Sequence, residues 1–239
     1  MLEVDLHTHT LFSTCGMHTV LELLTRAKEI GLKGIAITDH GPALGGRLKG
    51  TFFNRFKSPF PEVVVYKGVE CNILEKKGEI DFPKSFLPYL DVVLLGIHLN
   101  IPKGLSVDEY TDMLISAIEN NPGIDIITHP NEMLFPVDYS RLCHCAADRG
   151  IAIELNNSRS LYKRSTNENV IALLEQCIKS HCRVAVASDA HAILELGCDE
   201  SVSPLLEKTG FPTDLLVTKD AQSVEAFLRE RKGLRGFDL

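Results

Sequence analysis

Seven short runs rich in valine, isoleucine and leucine recur along the chain, most of them separated by amphipathic stretches. They are LEVDLH (2–7), GIAITDH (34–40), VVVYKGVE (63–70), LDVVLLGIH (90–98), IDIITHP (124–130), IAIELNN (151–157) and RVAVASDAH (183–191). Such β-branched runs suit strands buried on both faces, as in a parallel sheet. The connecting segments read as helices. TVLELLTRAKEIG carries apolar residues at helical spacing and stops at Gly31. SVDEYTDMLISAIEN opens with Ser106 and places Glu109 three residues on, a capping box. DYSRLCHCAADRG runs from an Asp138 cap to Gly150, and STNENVIALLEQCIKSH fills the gap before the seventh run. Strand and helix alternating over the whole length imply an α/β fold with right-handed crossovers. No linker, low-complexity tract or charge block divides the chain, so a single domain over 1–239 is expected. Residues 41–62 read as a long loop, and ILEKKGEID (73–81) as a small hairpin.

Each run stops on a residue that can do chemistry. The first ends in His7, with His9 just beyond. The second ends in Asp39 and His40, the third in Glu70, the fourth in His98 and the fifth in His129. The sixth ends in Glu154, Asn156 and Asn157, and the seventh in Asp189 and His191. Six of the nine histidines therefore lie at carboxyl ends of expected strands. In α/β sheets and barrels that edge is where active sites form. His144 and His181 fall in expected helices and read as structural.

Residues i and i+2 of a strand face one side, so His7 and His9 can offer two imidazoles to one metal ion. Imidazole with carboxylate suits zinc, manganese or iron. Glu70 and Asp189 add anionic oxygens. About nine candidate groups exceed the four that one tetrahedral ion needs, so two or three ions are expected. A hydroxide held between two divalent ions is a strong nucleophile near neutral pH, and the same ions can clamp phosphoryl oxygens. Such a pocket favours a phosphate dianion.

The bulk properties narrow the partners. A net charge of −7 argues against a duplex nucleic-acid binder. No apolar run reaches the roughly 18 residues of a membrane span, and no stretch resembles a leader. The 44% hydrophobic content suits a full core. The seven cysteines form no CxxC pair and read mostly as buried reduced thiols, so a cytoplasmic protein is expected.

The motifs D-L-H-T-H-T (5–10), I-T-D-H-G-P (37–42), G-V-E-C-N (68–72), G-I-H (96–98), T-H-P (128–130), E-L-N-N (154–157) and S-D-A-H (188–191) stand in order along the chain. Together they resemble the PHP (polymerase and histidinol phosphatase) family, closest to its short YcdX-type phosphatase branch. The resemblance implies a distorted (β/α)7 TIM-like barrel with a trinuclear metal site at the carboxyl ends of the strands. It implies that His7, His9, Glu70 and Asp189 hold a first ion. Glu70 would bridge to a second ion held also by His98 and His129, and His40 and His191 would hold a third. Glu70, Asp189 and His191 are then the expected catalytic set. The branch usually adds a histidine to the third ion in a stretch like S-T-H-A-Y-S-T. Here that stretch is S-T-C-G-M-H-T (13–19), so Cys15 occupies the position. A thiolate favours zinc over manganese. Either Cys15 ligates, or His18 swings in, or the third ion is weakly held or absent.

Arg159, Lys163 and Arg164 follow the sixth run and are candidates for a substrate phosphate, which arginine grips through two parallel hydrogen bonds. Arg47, Lys49, Arg55 and Lys57, with Phe52 and Phe53, lie in the long loop after the second run, which reads as a lid or specificity element or as a packed surface loop. The expected activity is metal-dependent phosphoester hydrolysis of a small phosphorylated substrate, with zinc favoured and an oligomer left open. The alternatives are an amidohydrolase-type deaminase or amidase, which also opens on H-x-H but usually needs a strand-end lysine, and a degenerate PHP module with a binding or regulatory role.

Overall fold

The computed structural model describes residues 1–74, 78–160 and 163–234. Seven parallel strands run in sequence order: β1 (Val4–Asp5), β2 (Gly34–Ile37), β3 (Val64–Asn72), β4 (Val92–Gly96), β5 (Ile126–Ile127), β6 (Ala152–Asn156) and β7 (Val184–Ala187). Helices α1 (Val20–Ile30), α2 (Gly50–Arg55), α3 (Val107–Asn120), α4 (Tyr139–Asp148), α5 (Asn167–Lys179), α6 (Ser203–Thr209) and α7 (Ala221–Leu234) complete the chain. The result is a nearly closed, distorted (β/α)7 barrel.

Capping chemistry sets the helix starts. Thr19 and Ser106 each accept from the backbone N–H three residues on, while Glu22 and Glu109 reach back, which makes two capping boxes. Asp138 and Thr166 cap α4 and α5 in the same sense without the reciprocal arm.

Strand parity divides the core in two. One set of side chains packs outward beneath the helices. The other fills the barrel with Val4, Leu6, Ala36, Val92, Leu94, Ile126, Ala152 and Ala185. Val224, Phe227 and Leu228 of α7 join this inner cluster. Arg231 anchors α7 among the amino ends of the strands, donating to the carbonyls of Ile124 and Arg149 and to Asp125. The last helix therefore stops the amino-terminal end of the barrel and leaves the opposite end open for chemistry.

Between β7 and β1 a backbone bridge joins Thr8 and Ala190, with His9 N donating to Ala190 O at 2.8 Å. Beside it Asp5 is fully buried and accepts from Ser188 N (3.1 Å), Ser188 Oγ (2.5 Å) and Gly197 N (2.9 Å). One carboxylate thus ties the first strand to the turn after the last.

Three expectations change. Residues 41–62 are not all loop, because α2 forms there. Phe52 and Phe53 are buried in an aromatic cluster with Phe12, Phe56, Phe82 and Phe86, so this part of the segment is packed. β1 and β5 are only two residues each, shorter than the runs that contain them. The 73–81 hairpin keeps an antiparallel bridge between Ile73 and Ile80, while its tip at 75–77 lies outside the described residues. Among the described residues no helix is long and apolar enough to cross a membrane.

Candidate metal centre

The carboxyl ends of the strands converge on one buried well of about 280 Å³. His7 Nε2 and His9 Nε2 lie 3.0 Å apart. Two imidazole nitrogens at that separation aim at one point. Asp189 Oδ1 stands 3.5 Å from His7 Nε2 and 3.2 Å from His9 Nε2, and these three groups form one ligand cluster.

Glu70 lies at the centre of the well, fully buried. Its Oε2 is 3.3 Å from His7 Nε2, 3.5 Å from His9 Nε2 and 2.9 Å from His40 Nδ1. Its Oε1 is 3.1 Å from His98 Nε2 and 3.0 Å from His129 Nε2. One carboxylate therefore faces five imidazoles, with each oxygen turned to a different group. Glu70, His40 and His98 form a second ligand cluster, and His9, Cys15, His40 and His191 a third.

The donor set fits divalent transition metal. Imidazole, carboxylate and thiolate are the ligands zinc takes, and imidazole with carboxylate also suits manganese and iron. Two atoms in the well, Glu70 Oε2 and His40 Nδ1, are buried and make no hydrogen bond. Each faces the other at 2.9 Å in a contact that lacks hydrogen-bond geometry, and buried polar atoms are normally better satisfied, as a bound ion would allow. The clustered His, Glu, Asp and Cys groups support divalent metal binding.

A surrounding layer fixes the ligands. His7 Nδ1 donates to Glu154 Oε1 at 2.6 Å, so that in the neutral imidazole Nε2 is the bare nitrogen facing the well. Glu154 Oε2 accepts from His129 N (2.8 Å) and Asn156 Nδ2 (3.0 Å). His191 Nδ1 donates to the carbonyl of Asp189, two residues back, at 2.8 Å, which in the neutral ring frees its Nε2 in the same way. His129 and Asp189 hold φ of 33° and 55°, a left-handed backbone that non-glycine residues seldom adopt. Strain of that kind concentrates at functional sites.

The loop carrying Cys15 is fixed from beneath. Asp39 accepts from Thr10 N (2.7 Å), Thr10 Oγ1 (2.7 Å) and Ser13 N (2.9 Å). Ser13 Oγ accepts from His40 N at 2.9 Å and lies 3.2 Å from His9 Nδ1. Gly16 follows Cys15 so closely over Thr10 that a Cβ would sit 2.1 Å from the Thr10 carbonyl oxygen. Only glycine fits there, and the turn it permits places Cys15 over the well. His18 is half-buried at the entry to α1 and belongs to none of the ligand clusters.

The electrostatics follow the geometry. Burial pushes the Glu70 carboxyl up, but His7, His98 and His40 outweigh it and hold the group well below the usual carboxylate range. Asp189 is lowered well below its usual value by His7 and His9 against its burial. Burial lowers His7, yet Glu70, Glu154 and Asp189 raise it well above 6.5. His9 falls to about 3, chiefly through burial, with His40 and His7 adding repulsion. Cys15 drops to about 6, because hydrogen bonds and charge from His191 and His40 overcome its burial. A thiol so lowered is a thiolate at neutral pH, the form that binds metal.

The two arginine candidates part company. Arg164 lines the well, with Nη1 donating to Asp189 Oδ2 at 2.9 Å and Nε to Glu132. Arg159 is buried elsewhere, donating to Ser201 O (2.5 Å) and Asn167 Oδ1 (2.8 Å), and lines neither the well nor its mouth. Its contacts tie loops together away from the well. Glu132 carries no motif, and Ser13 lies in the S-T-C-G-M-H-T stretch without any sign there of its contacts to His9 and His40. Glu154 was visible at a strand end, but not as the partner of His7.

Comparison with known proteins agrees with this architecture. The model of the PHP domain matches residues 5–207. A relative from Caldicellulosiruptor saccharolyticus, named a probable phosphatase, is 37% identical over 232 residues, covering 95% of this chain and 96% of its own. One from Acetivibrio thermocellus, also named a probable phosphatase, is 33% identical over 233 residues, covering 96% of each. Among solved structures, histidinol phosphate phosphatase from Lactococcus lactis, complexed with zinc, L-histidinol and phosphate, superposes with a TM-score of 0.65. It is 17% identical and the match covers 87% of this chain and 94% of that one, a likeness of fold. With the PHP model matching most of its length and relatives more than 30% identical along nearly all of it, this chain belongs to the PHP domain family.

Proposed function

We propose that the chain is a metal-dependent phosphatase, hydrolysing a small phosphomonoester to an alcohol and phosphate at a di- or trinuclear metal centre. The observation that carries this reading is the central place of Glu70, whose two oxygens face different imidazole groups within one buried well. Relatives named probable phosphatases support the reaction class.

His7, His9, Asp189 and Glu70 would hold one ion. Glu70, His98 and His129 would hold a second, and His40, His191 and Cys15 a third. Ions so held lower the pKa of a bound water and polarise phosphoryl oxygens. The protein's own residues do the rest. Glu154 keeps His7 in the tautomer that offers Nε2. Arg164, steadied between Glu132 and Asp189 and facing the well, is placed to take a phosphoryl oxygen of the substrate. His191 stands at the rim, where substrate enters. Zinc is favoured over manganese, because Cys15 supplies a thiolate.

Among the described residues no lysine lines the well, which leaves the carbamate-bridged amidohydrolase alternative without its usual ligand there. The test is hydrolysis of para-nitrophenyl phosphate against para-nitroacetanilide by protein stripped with chelator, then reloaded with zinc or manganese. Metal-restored release from the phosphate ester supports the reading. Turnover of the anilide alone would overturn it.

A further inference from the structure

The metal well opens into a second cavity of about 650 Å³. The two share Cys15, His40, His98, Arg164 and His191. A molecule held in the well by its phosphoryl end must therefore project its other end into the larger space. That space is walled by Leu44, Ile97, Leu99, Met133, Leu134 and Phe135, from the loops after β2, β4 and β5. Ile97 and Phe135 form a buried floor. Leu99, Met133 and Leu134 stand 67%, 50% and 41% exposed.

Three large apolar side chains open to water around one mouth form a surface that a ligand would cover. Ligand sites typically join apolar walls to a few fixed polar groups. Here most of the polar groups gather on the side of the well, where Glu132 is already engaged with Arg164. Thr14 and Lys163 are the remaining polar lining groups. A polyol seated against the apolar wall would surrender hydroxyl hydration with few partners in return. An aryl or alkyl group would lose no such hydration and would cover the wall.

We propose that this cavity is the leaving-group subsite, and that it selects phosphomonoesters of apolar or aromatic alcohols over sugar phosphates. The proposal rests on the phosphatase reading. Its test separates the two. Benzyl phosphate and glucose 6-phosphate are both esters of primary alcohols, so their intrinsic reactivities are close. The expected kcat/KM ratio is roughly tenfold or more in favour of benzyl. In the Met133→Gln/Leu134→Asn double variant, which keeps side-chain size and removes apolar surface, the ratio should fall towards one. In parallel, calorimetry should find benzylphosphonate binding about tenfold tighter than methylphosphonate, with a more negative heat-capacity change. The double variant should lose that advantage. Equal kcat/KM values, a ratio unmoved by the double variant, or equal phosphonate affinities would overturn the subsite. Hydrolysis of neither ester, with para-nitrophenyl phosphate untouched as well, would instead overturn the phosphatase reading, and the phosphonate comparison alone would then decide the subsite.

Discussion

Glu154→Gln isolates what the layer behind the ligands contributes. Glu154 accepts on both sides: Oε1 from His7 Nδ1, and Oε2 from His129 N and Asn156 Nδ2. Glutamine has one carbonyl oxygen and one amide nitrogen. With its oxygen towards His7, its NH2 confronts the His129 N–H and the Asn156 amide, leaving buried donors unpaired. With its oxygen towards His129, its NH2 faces His7 Nδ1, and the imidazole must take the other tautomer, with its proton on Nε2. That proton points at His9 and blocks ligation. The first orientation costs about 1–3 kcal/mol of stability per unsatisfied group, or about 2–4 °C of Tm per kcal/mol in a domain this size. The second costs about 10–100-fold in metal affinity, or about 1.4–2.7 kcal/mol. Competition with a chromophoric chelator reads the affinity, and differential scanning calorimetry of stripped and loaded protein reads the stability. One of the two must move. Glu154→Gln protein with native Tm and native metal affinity would refute the argument that this carboxylate sets the His7 tautomer.

Other perturbations act on different parts of the account. Glu70→Gln removes the charge that two ligand groups share, and turnover should fall by orders of magnitude, while far-UV circular dichroism is unchanged; near-native turnover would show that Glu70 is not the bridging group. Cys15→His should retain phosphatase activity and shift preference from zinc towards manganese, and Cys15→Ala should raise KM more than it lowers kcat. Peptide mass spectrometry after iodoacetamide should find Cys15 labelled in stripped protein and shielded in loaded protein, and equal labelling would count against ligation. Asp5→Ala leaves Ser188 N, Ser188 Oγ and Gly197 N without their buried acceptor, so urea unfolding should report a loss of about 2–4 kcal/mol; a loss under about 0.5 kcal/mol would mean that the β1–β7 junction closes without it.

Much of the site was readable because its signal is local. A β-branched run that stops on His, Asp or Glu announces both a buried strand and the chemistry at its end, and seven such runs fix the order of the barrel. His7 and His9 needed only the two-residue period of extended chain. What was hidden depends on distance and direction. Arg159 and Arg164 are five residues apart in one polar segment, and nothing local says that a carbonyl at Ser201 claims the first while Asp189 draws the second. Glu154 could be seen at a strand end, but its pairing with His7 joins residues 147 apart. The spacing of Val224, Phe227 and Leu228 suits an amphipathic helix, yet only the assembled barrel reveals that this helix stops its amino-terminal end. Phe52 and Phe53 looked like a loop's adornment until four further phenylalanines closed around them.

The most direct test of the central claim is a titration of metal-stripped protein with zinc, following bound equivalents and phosphate-ester hydrolysis together. If Glu70 joins two ions in one catalytic centre, hydrolysis should remain low through the first equivalent and rise as the second fills, with total binding of two to three equivalents. Full activity at one equivalent or fewer, or activity undiminished in the stripped protein, would contradict the account.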